Sequence, residues 1–76
     1  MNLTVNYFGL IAEITECSYE NLDFSGSIFE FRQWLYEQYP LLKEKDFQVA
    51  QDQILVSNET LISGQTLAVL PPFAGG

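Results

Sequence analysis

Ser25-Gly26-Ser27-Ile28-Phe29-Glu30-Phe31-Arg32-Gln33-Trp34-Leu35-Tyr36-Glu37-Gln38-Tyr39-Pro40 is the stretch on which the fold turns. Ser25-Gly26 breaks the preceding pattern, and Ser27 stands three residues ahead of Glu30. That spacing is a capping box: the Ser hydroxyl accepts from a free backbone N–H of the first turn, and the Glu reaches back to the N–H of the cap. A helix is expected from Ser27 to about Tyr39. Ile28, Phe31, Leu35 and Tyr39 then fall on one stripe at the 3.6-residue period. Pro40 is the expected stop, because the residue before a proline is pushed out of the α region. Trp34 lies beside the stripe, and a place at the core edge is preferred to an exposed one. A helix with one apolar stripe needs one apolar surface to cover, and its flanks supply a sheet.

Before the helix the period is two. Leu3, Val5 and Tyr7 alternate with Thr4 and Asn6, which argues for a half-buried strand ended by Gly9. Leu10 to Glu16 mix apolar and acidic side chains and read as a turn of helix. A second strand is expected at about Tyr19 to Phe24, with Leu22 and Phe24 on one face and Asn21 and Asp23 on the other. The spacing of the two strands suggests a hairpin with a long loop. After the helix, a third strand is expected at Phe47 to Ala50, a turn at Gln51-Asp52-Gln53, and a short strand at Ile54 to Val56. Ser57 to Gln65 is polar and reads as loop. Thr66 to Leu70 is the last strand, ended by Pro71 and Pro72, neither of which can donate to a sheet ladder. The order β-β-α-β-β-β describes an α+β fold with one helix across one sheet face.

Composition sets limits on function. A chain of 76 residues is one domain, and one this short buries only roughly 60% of the surface its unfolded chain exposes. With 47% hydrophobic residues it still has the material for a core, so it is not read as disordered. Ten acidic residues against Arg32, Lys43 and Lys45 give a net charge of -7, which speaks against nucleic-acid binding. The acidity suits either plain solubility or steering towards a basic partner. No apolar run is long enough to span a membrane. Met1 to Thr4 carry no positive charge ahead of an apolar run, so a secretory signal is not expected, and a cytoplasmic location is. The lone Cys17 fits a reducing compartment, and no neighbouring base or cation marks it as a sulfur relay. With no histidine and one cysteine, neither a Cys/His metal site nor a Cys-His nucleophile pair can be built.

Strand parity carries the argument to a surface. If Leu3, Val5 and Tyr7 face the helix, Phe8 points the other way, and in the last strand Ala68 and Leu70 point away from Leu67 and Val69. Phe8 and Leu70, with Ile54 as a further candidate, are expected to form an apolar patch on the outer sheet face. One helix covers only one face, so a partner surface is favoured over a loop folded across the patch.

The last strand runs into Leu70-Pro71-Pro72-Phe73-Ala74-Gly75-Gly76. Paired prolines hold an extended direction, Phe73 offers an anchor, and nothing bulky follows. Glycine has no Cβ, so its backbone can pass a narrow channel and leave a terminal carbonyl uncrowded. Such a carboxylate can be activated as an acyl-adenylate and attacked by sulfur or an amine. The chain holds no phosphate-binding glycine-rich loop, so any ATP would be bound by a partner.

Tyr7-Phe8-Gly9 with its acidic turn, the capped helix, Ile62-Ser63-Gly64-Gln65, and above all Pro71-Pro72-Phe73-Ala74-Gly75-Gly76 recur in order along the chain in one family. The sequence resembles the β-grasp (ubiquitin-like) sulfur carriers of the MoaD/ThiS family, and among them the small subunits of molybdopterin synthase. The resemblance implies a mixed five-stranded sheet with one main helix on one face, as a single domain over 1–76 with a flexible tail over 71–76. It implies that a ubiquitin-activating-type (MoeB-like) adenylyltransferase activates Gly76, next to Gly75, and that a sulfur donor converts it to a thiocarboxylate. The sulfur would pass to cyclic pyranopterin monophosphate in the large subunit of molybdopterin synthase. Phe8, Ile54, Leu70, Pro71, Pro72, Phe73 and Ala74 match the family's partner-binding positions. No cofactor would be bound, and the chain would act only as the sulfur-donating subunit of an enzyme. Members often carry an arginine in the turn after the first strand; here Ala12 and Glu13 stand there, so a charged partner contact is absent or moved. The alternatives left open are a carrier for thiamine biosynthesis, a ubiquitin-like protein modifier and a plain interaction domain.

Overall fold

The computed structural model describes residues 2–72. The capping box at the start of the main helix is formed. Ser27 Oγ accepts from the Glu30 N–H at 3.2 Å, and Glu30 Oε1 accepts from the Ser27 N–H at 2.9 Å. Each bond satisfies a donor that the first helical turn would otherwise leave free. The helix, α2, runs Ile28–Gln38 behind a shorter α1 at Gly9–Thr15. Ile28, Phe31 and Leu35 are fully buried, while Tyr39 closes the helix half-buried. Trp34 sits at the core edge, stacked on Phe31 with ring centres 6.0 Å apart.

The strands are β1 (Asn2–Tyr7), β2 (Tyr19–Asp23), β3 (Gln48–Gln51), β4 (Ile54–Leu55) and β5 (Thr66–Leu70). They form one mixed sheet in the order β2-β1-β5-β3-β4. β1 and β5 are parallel, and the other neighbours are antiparallel. Period-two burial holds in the central pair: Leu3, Val5, Tyr7, Leu67 and Val69 are buried against α2, and Val49 joins them from β3. The core therefore lies in a single layer between helix and sheet.

Two elements depart from the expected order. The β1–β2 connection holds a helix, α1, where a single turn was expected, and its Ile11 is buried in the core. Its apolar residues are too few for a long periodic stripe, so the sequence signal is short. After Pro40 the chain does not run straight to β3 but forms a 3-10 helix over Pro40–Glu44 that buries Leu42. Proline ends an α-helix, yet its fixed φ suits the first position of a new helical turn. Arg32 then ties α2 to the approach to β3. Its Nη2 donates to the Phe47 carbonyl at 3.0 Å, and its guanidinium lies 4.4 Å from the Phe47 ring centre.

Candidate functional site

β5 is the central strand through which everything reaches the tail, so its two ends frame the site. At the entry end, the Gln51 side chain holds the 61–64 loop. Oε1 accepts from the Ser63 and Gly64 N–H groups at 2.8 and 2.9 Å, and Nε2 donates to the Leu61 carbonyl at 3.3 Å. The Asp52 N–H donates to the Thr66 carbonyl at 3.0 Å. A Cβ on Gly64 would collide with the Asp52 carboxylate and push it aside, so glycine lets the two lie this close.

At the exit end the chemistry changes. Phe8 lies next to β5, its N–H donating to the Val69 carbonyl at 3.2 Å, and its side chain is 46% exposed. Leu70 is half-buried and pairs with Gln48. One row across the outer face runs Tyr19, Asn6, Ala68, Ala50, Leu55, each the register partner of the next. Residues directly opposite in neighbouring strands share a face. Ala68 and Leu70 thus point outward, as parity required, and Phe8 with them. At the other end of the same face the register places Thr4, Asn21 and Thr66, all polar. The apolar residues of the outer face therefore gather towards the exit of β5, with Asn6 and Gln48 among them.

Ile54 is not on that face. It pairs with Gln51, which pairs with Leu67, and Leu67 is buried on the helix side. The reason is the turn: Asp52 and Gln53 both have positive φ, at 50° and 73°, so the hairpin loop has two residues and opposes 51 to 54. Ile54 lies beyond the cover of the helix, 70% exposed. Leu55, 49% exposed, takes the outer position instead. Leu55 and Tyr19 are the patch residues that the sequence reading missed. Counting outward from a two-residue turn at 52–53 would have found Leu55.

Pro71 and Pro72 follow directly on β5. The Pro71 ring lies against Gly9, the first residue of α1, whose φ is +55°. Phe73, Ala74, Gly75 and Gly76, the rest of the expected tail site, lie outside the described residues.

A second group of ionisable side chains sits on the helix side, at the edge of the core. The Tyr7 hydroxyl donates to Glu20 Oε1 at 2.7 Å and the Tyr39 hydroxyl to Oε2 at 3.0 Å. Burial pushes the Tyr7 phenol well above its ordinary range, and the bond to Glu20 adds to the effect. Tyr39 is pushed up from 10.0 to about 12 by burial first and by its bond to Glu20 second. Both groups therefore stay protonated donors at neutral pH and act as fasteners between β1, β2 and α2. A groove between Asn2, Asn21, Asp23 and the 63–65 loop lies at the entry end, away from the tail. Among the described residues no three of His, Cys, Asp and Glu are grouped to hold a metal ion, and no helix is long and apolar enough to cross a membrane.

The fold is that of ubiquitin-like β-grasp proteins. A candidate molybdopterin converting factor subunit 1 from Pyrococcus furiosus superposes with a TM-score of 0.86 over 96% of this chain and 99% of that one, at 16% identity. Small archaeal modifier protein 1 of Haloferax volcanii gives 0.78 over 95% and 98%, at 15% identity. Its namesake from Methanosarcina acetivorans gives 0.73 over 99% and 96%, at 14% identity. In sequence, the model of the ThiS family matches residues 5–76, a span that takes in the central strands and the whole of the tail. A β-grasp sheet whose core strand leads into Pro-Pro and two glycines, matched by that model over almost its full length, belongs to the ThiS family.

Proposed function

We propose that this chain carries sulfur on Gly76 and delivers it inside molybdopterin synthase. The observation that carries the reading is the coincidence at the exit of β5: an apolar patch around Phe8 and Leu70, and a tail of two prolines and two glycines starting from the same strand end. The patch would hold the large subunit while the tail enters its active site. The fold it shares with a molybdopterin converting factor subunit is in keeping with that acceptor.

The chemistry needs little from the carrier. A partner adenylyltransferase would join the Gly76 carboxylate to AMP with loss of pyrophosphate. A hydrosulfide equivalent from a sulfur donor would then displace AMP and leave a thiocarboxylate. In the synthase the thiocarboxylate sulfur would attack a carbon of cyclic pyranopterin monophosphate and displace an oxygen from it, giving an acyl thioester. Water would then cleave the acyl C–S bond, leaving the sulfur on the pterin and returning the tail to a carboxylate. The chain itself supplies orientation, an unhindered carbonyl and a docking surface. ATP and the acid–base groups belong to the partners, and no resident cofactor is required.

The test is the intact mass of the protein after incubation with its host's adenylyltransferase, ATP and a sulfur source. The expected result is a gain equal to one oxygen replaced by sulfur, lost when Gly76 is removed. No gain, with an adenylyltransferase shown to act on another carrier, overturns the reading. A second reading is favoured by the likeness to the small archaeal modifier proteins: Gly76 would form an isopeptide bond with a lysine of a target. Target-sized adducts that resist reducing agent and need Gly76 would support it. Co-purification with a thiazole synthase rather than a large molybdopterin synthase subunit would redirect the carrier to thiamine biosynthesis.

A further inference from the structure

Gly9 holds φ +55°, a region that side chains of L residues rarely adopt, at the point where β1 turns into α1. A turn alone does not account for it, since Asn or Asp serves in many left-handed positions, as Asp52 does here. What singles Gly9 out is its neighbour. A Cβ built on Gly9 would lie 3.0 Å from Pro71 Cγ and 3.7 Å from Pro71 Cδ. The first of these is tighter than ordinary van der Waals contact, and Pro71 is a rigid ring with no flexible end to move aside. Pro71 follows Leu70 without a spacer, and the Phe8 N–H bond to the Val69 carbonyl fixes the two backbones just before the contact.

We infer that Gly9 is a positioning residue for the tail: its missing side chain leaves the seat in which the Pro71 ring rests, and this seat sets the direction in which Pro71-Pro72 leaves the sheet. The inference rests on the carrier reading for its functional consequence, but its geometry stands on the Gly9–Pro71 contact. A proline pair is stiff, so a change of angle at its root is carried forward instead of being absorbed. The Phe8 and Leu70 patch, offered to the adenylyltransferase as to the large subunit, would still dock, whereas the reacting carboxylate would be presented differently. The signature is therefore a loss in kcat with KM for the carrier unchanged.

The test compares Gly9→Ala with a chemically synthesised chain bearing D-alanine at position 9. D-Alanine favours positive φ and places its methyl group on the opposite side of Cα, away from Pro71. In thiocarboxylate formation with the adenylyltransferase, Gly9→Ala should lose about tenfold or more in kcat, with KM within about twofold of the unaltered chain, whereas the D-alanine chain should keep the original kcat. Gly9→Ala that folds and turns over like the unaltered protein overturns the inference, as does an equal loss in the D-alanine chain. If the unaltered protein accepts no sulfur, the carrier reading fails, and the geometry is decided by NMR. A nuclear Overhauser contact between Gly9 Hα and Pro71 Hγ is expected in the unaltered chain, with altered Pro71-Pro72 shifts in Gly9→Ala. Absence of that contact overturns the inference independently.

Discussion

The two ends of β5 are built from opposite materials. At entry, one glutamine amide satisfies three backbone groups of a loop, and a glycine lets that loop close on Asp52. At exit, Phe8, Ala68, Leu70 and Leu55 present carbon to solvent, and the strand leaves through prolines that offer no donor. At the first end the loop is tied down by hydrogen bonds within the chain. The second leaves apolar surface uncovered in a domain that has little to spare. The difference fits the proposal that the exit end meets a partner while the entry end only holds the fold.

That contrast breaks if the two ends respond alike to mutation. The largest effect is expected at the exit. Leu70→Glu would place an unpaired carboxylate in a desolvated contact and should weaken binding to the large subunit by about 2–5 kcal/mol, with thermal unfolding nearly unchanged. Titration calorimetry against that subunit checks it, and equal affinity would remove the outer face from the docking surface. At the entry, Gln51→Leu should do the reverse. It removes the acceptor of the Ser63 and Gly64 N–H groups, which water can partly replace, and should lower stability by about 1 kcal/mol, read by urea unfolding, while thiocarboxylate formation by the folded protein continues. If sulfur loading fell as much as stability, the division between the ends would be wrong.

The smallest effect sharpens the picture on the helix side. Burial and the bond to Glu20 push the Tyr39 phenol up from 10.0 to about 12 in the folded chain. The folded state therefore holds this proton longer, so its contribution to stability is complete below the unfolded value and is lost as pH rises through the folded one. Stability should decline as pH rises from 10, Tyr7 contributing beside Tyr39, and Tyr39→Phe should remove the Tyr39 share of that decline between pH 10 and 12 while leaving loading at neutral pH intact. An unchanged alkaline profile in Tyr39→Phe would mean that the Glu20 fastener does not hold α2 to the sheet.

Much of this is legible in the sequence. The Ser27–Glu30 box, the buried stripe of Ile28, Phe31 and Leu35, and the bounds of β5 follow from local spacing, and the structure places them where the sequence does. Phe8 and Leu70 were found by parity, because their strands are short and uninterrupted. Ile54 was misplaced for the same kind of reason: parity survives along a strand, but a turn resets it, and the length of the Asp52–Gln53 turn depends on positive φ at two non-glycine residues. The 3-10 helix at Pro40–Glu44 left no periodic signal at all.

The sequence by itself determined the local elements, the alternation that makes a core on one side of the sheet, and the Pro-Pro and Gly-Gly of the tail, since each depends on neighbours a few residues apart. Only the tertiary structure decided that Glu20 receives two tyrosines, that Gln51 closes over a loop ten or more residues away, and that Gly9 faces Pro71. Those contacts join residues far apart in the chain, and the parallel pairing of β1 with β5 is what brings the first and last strands side by side.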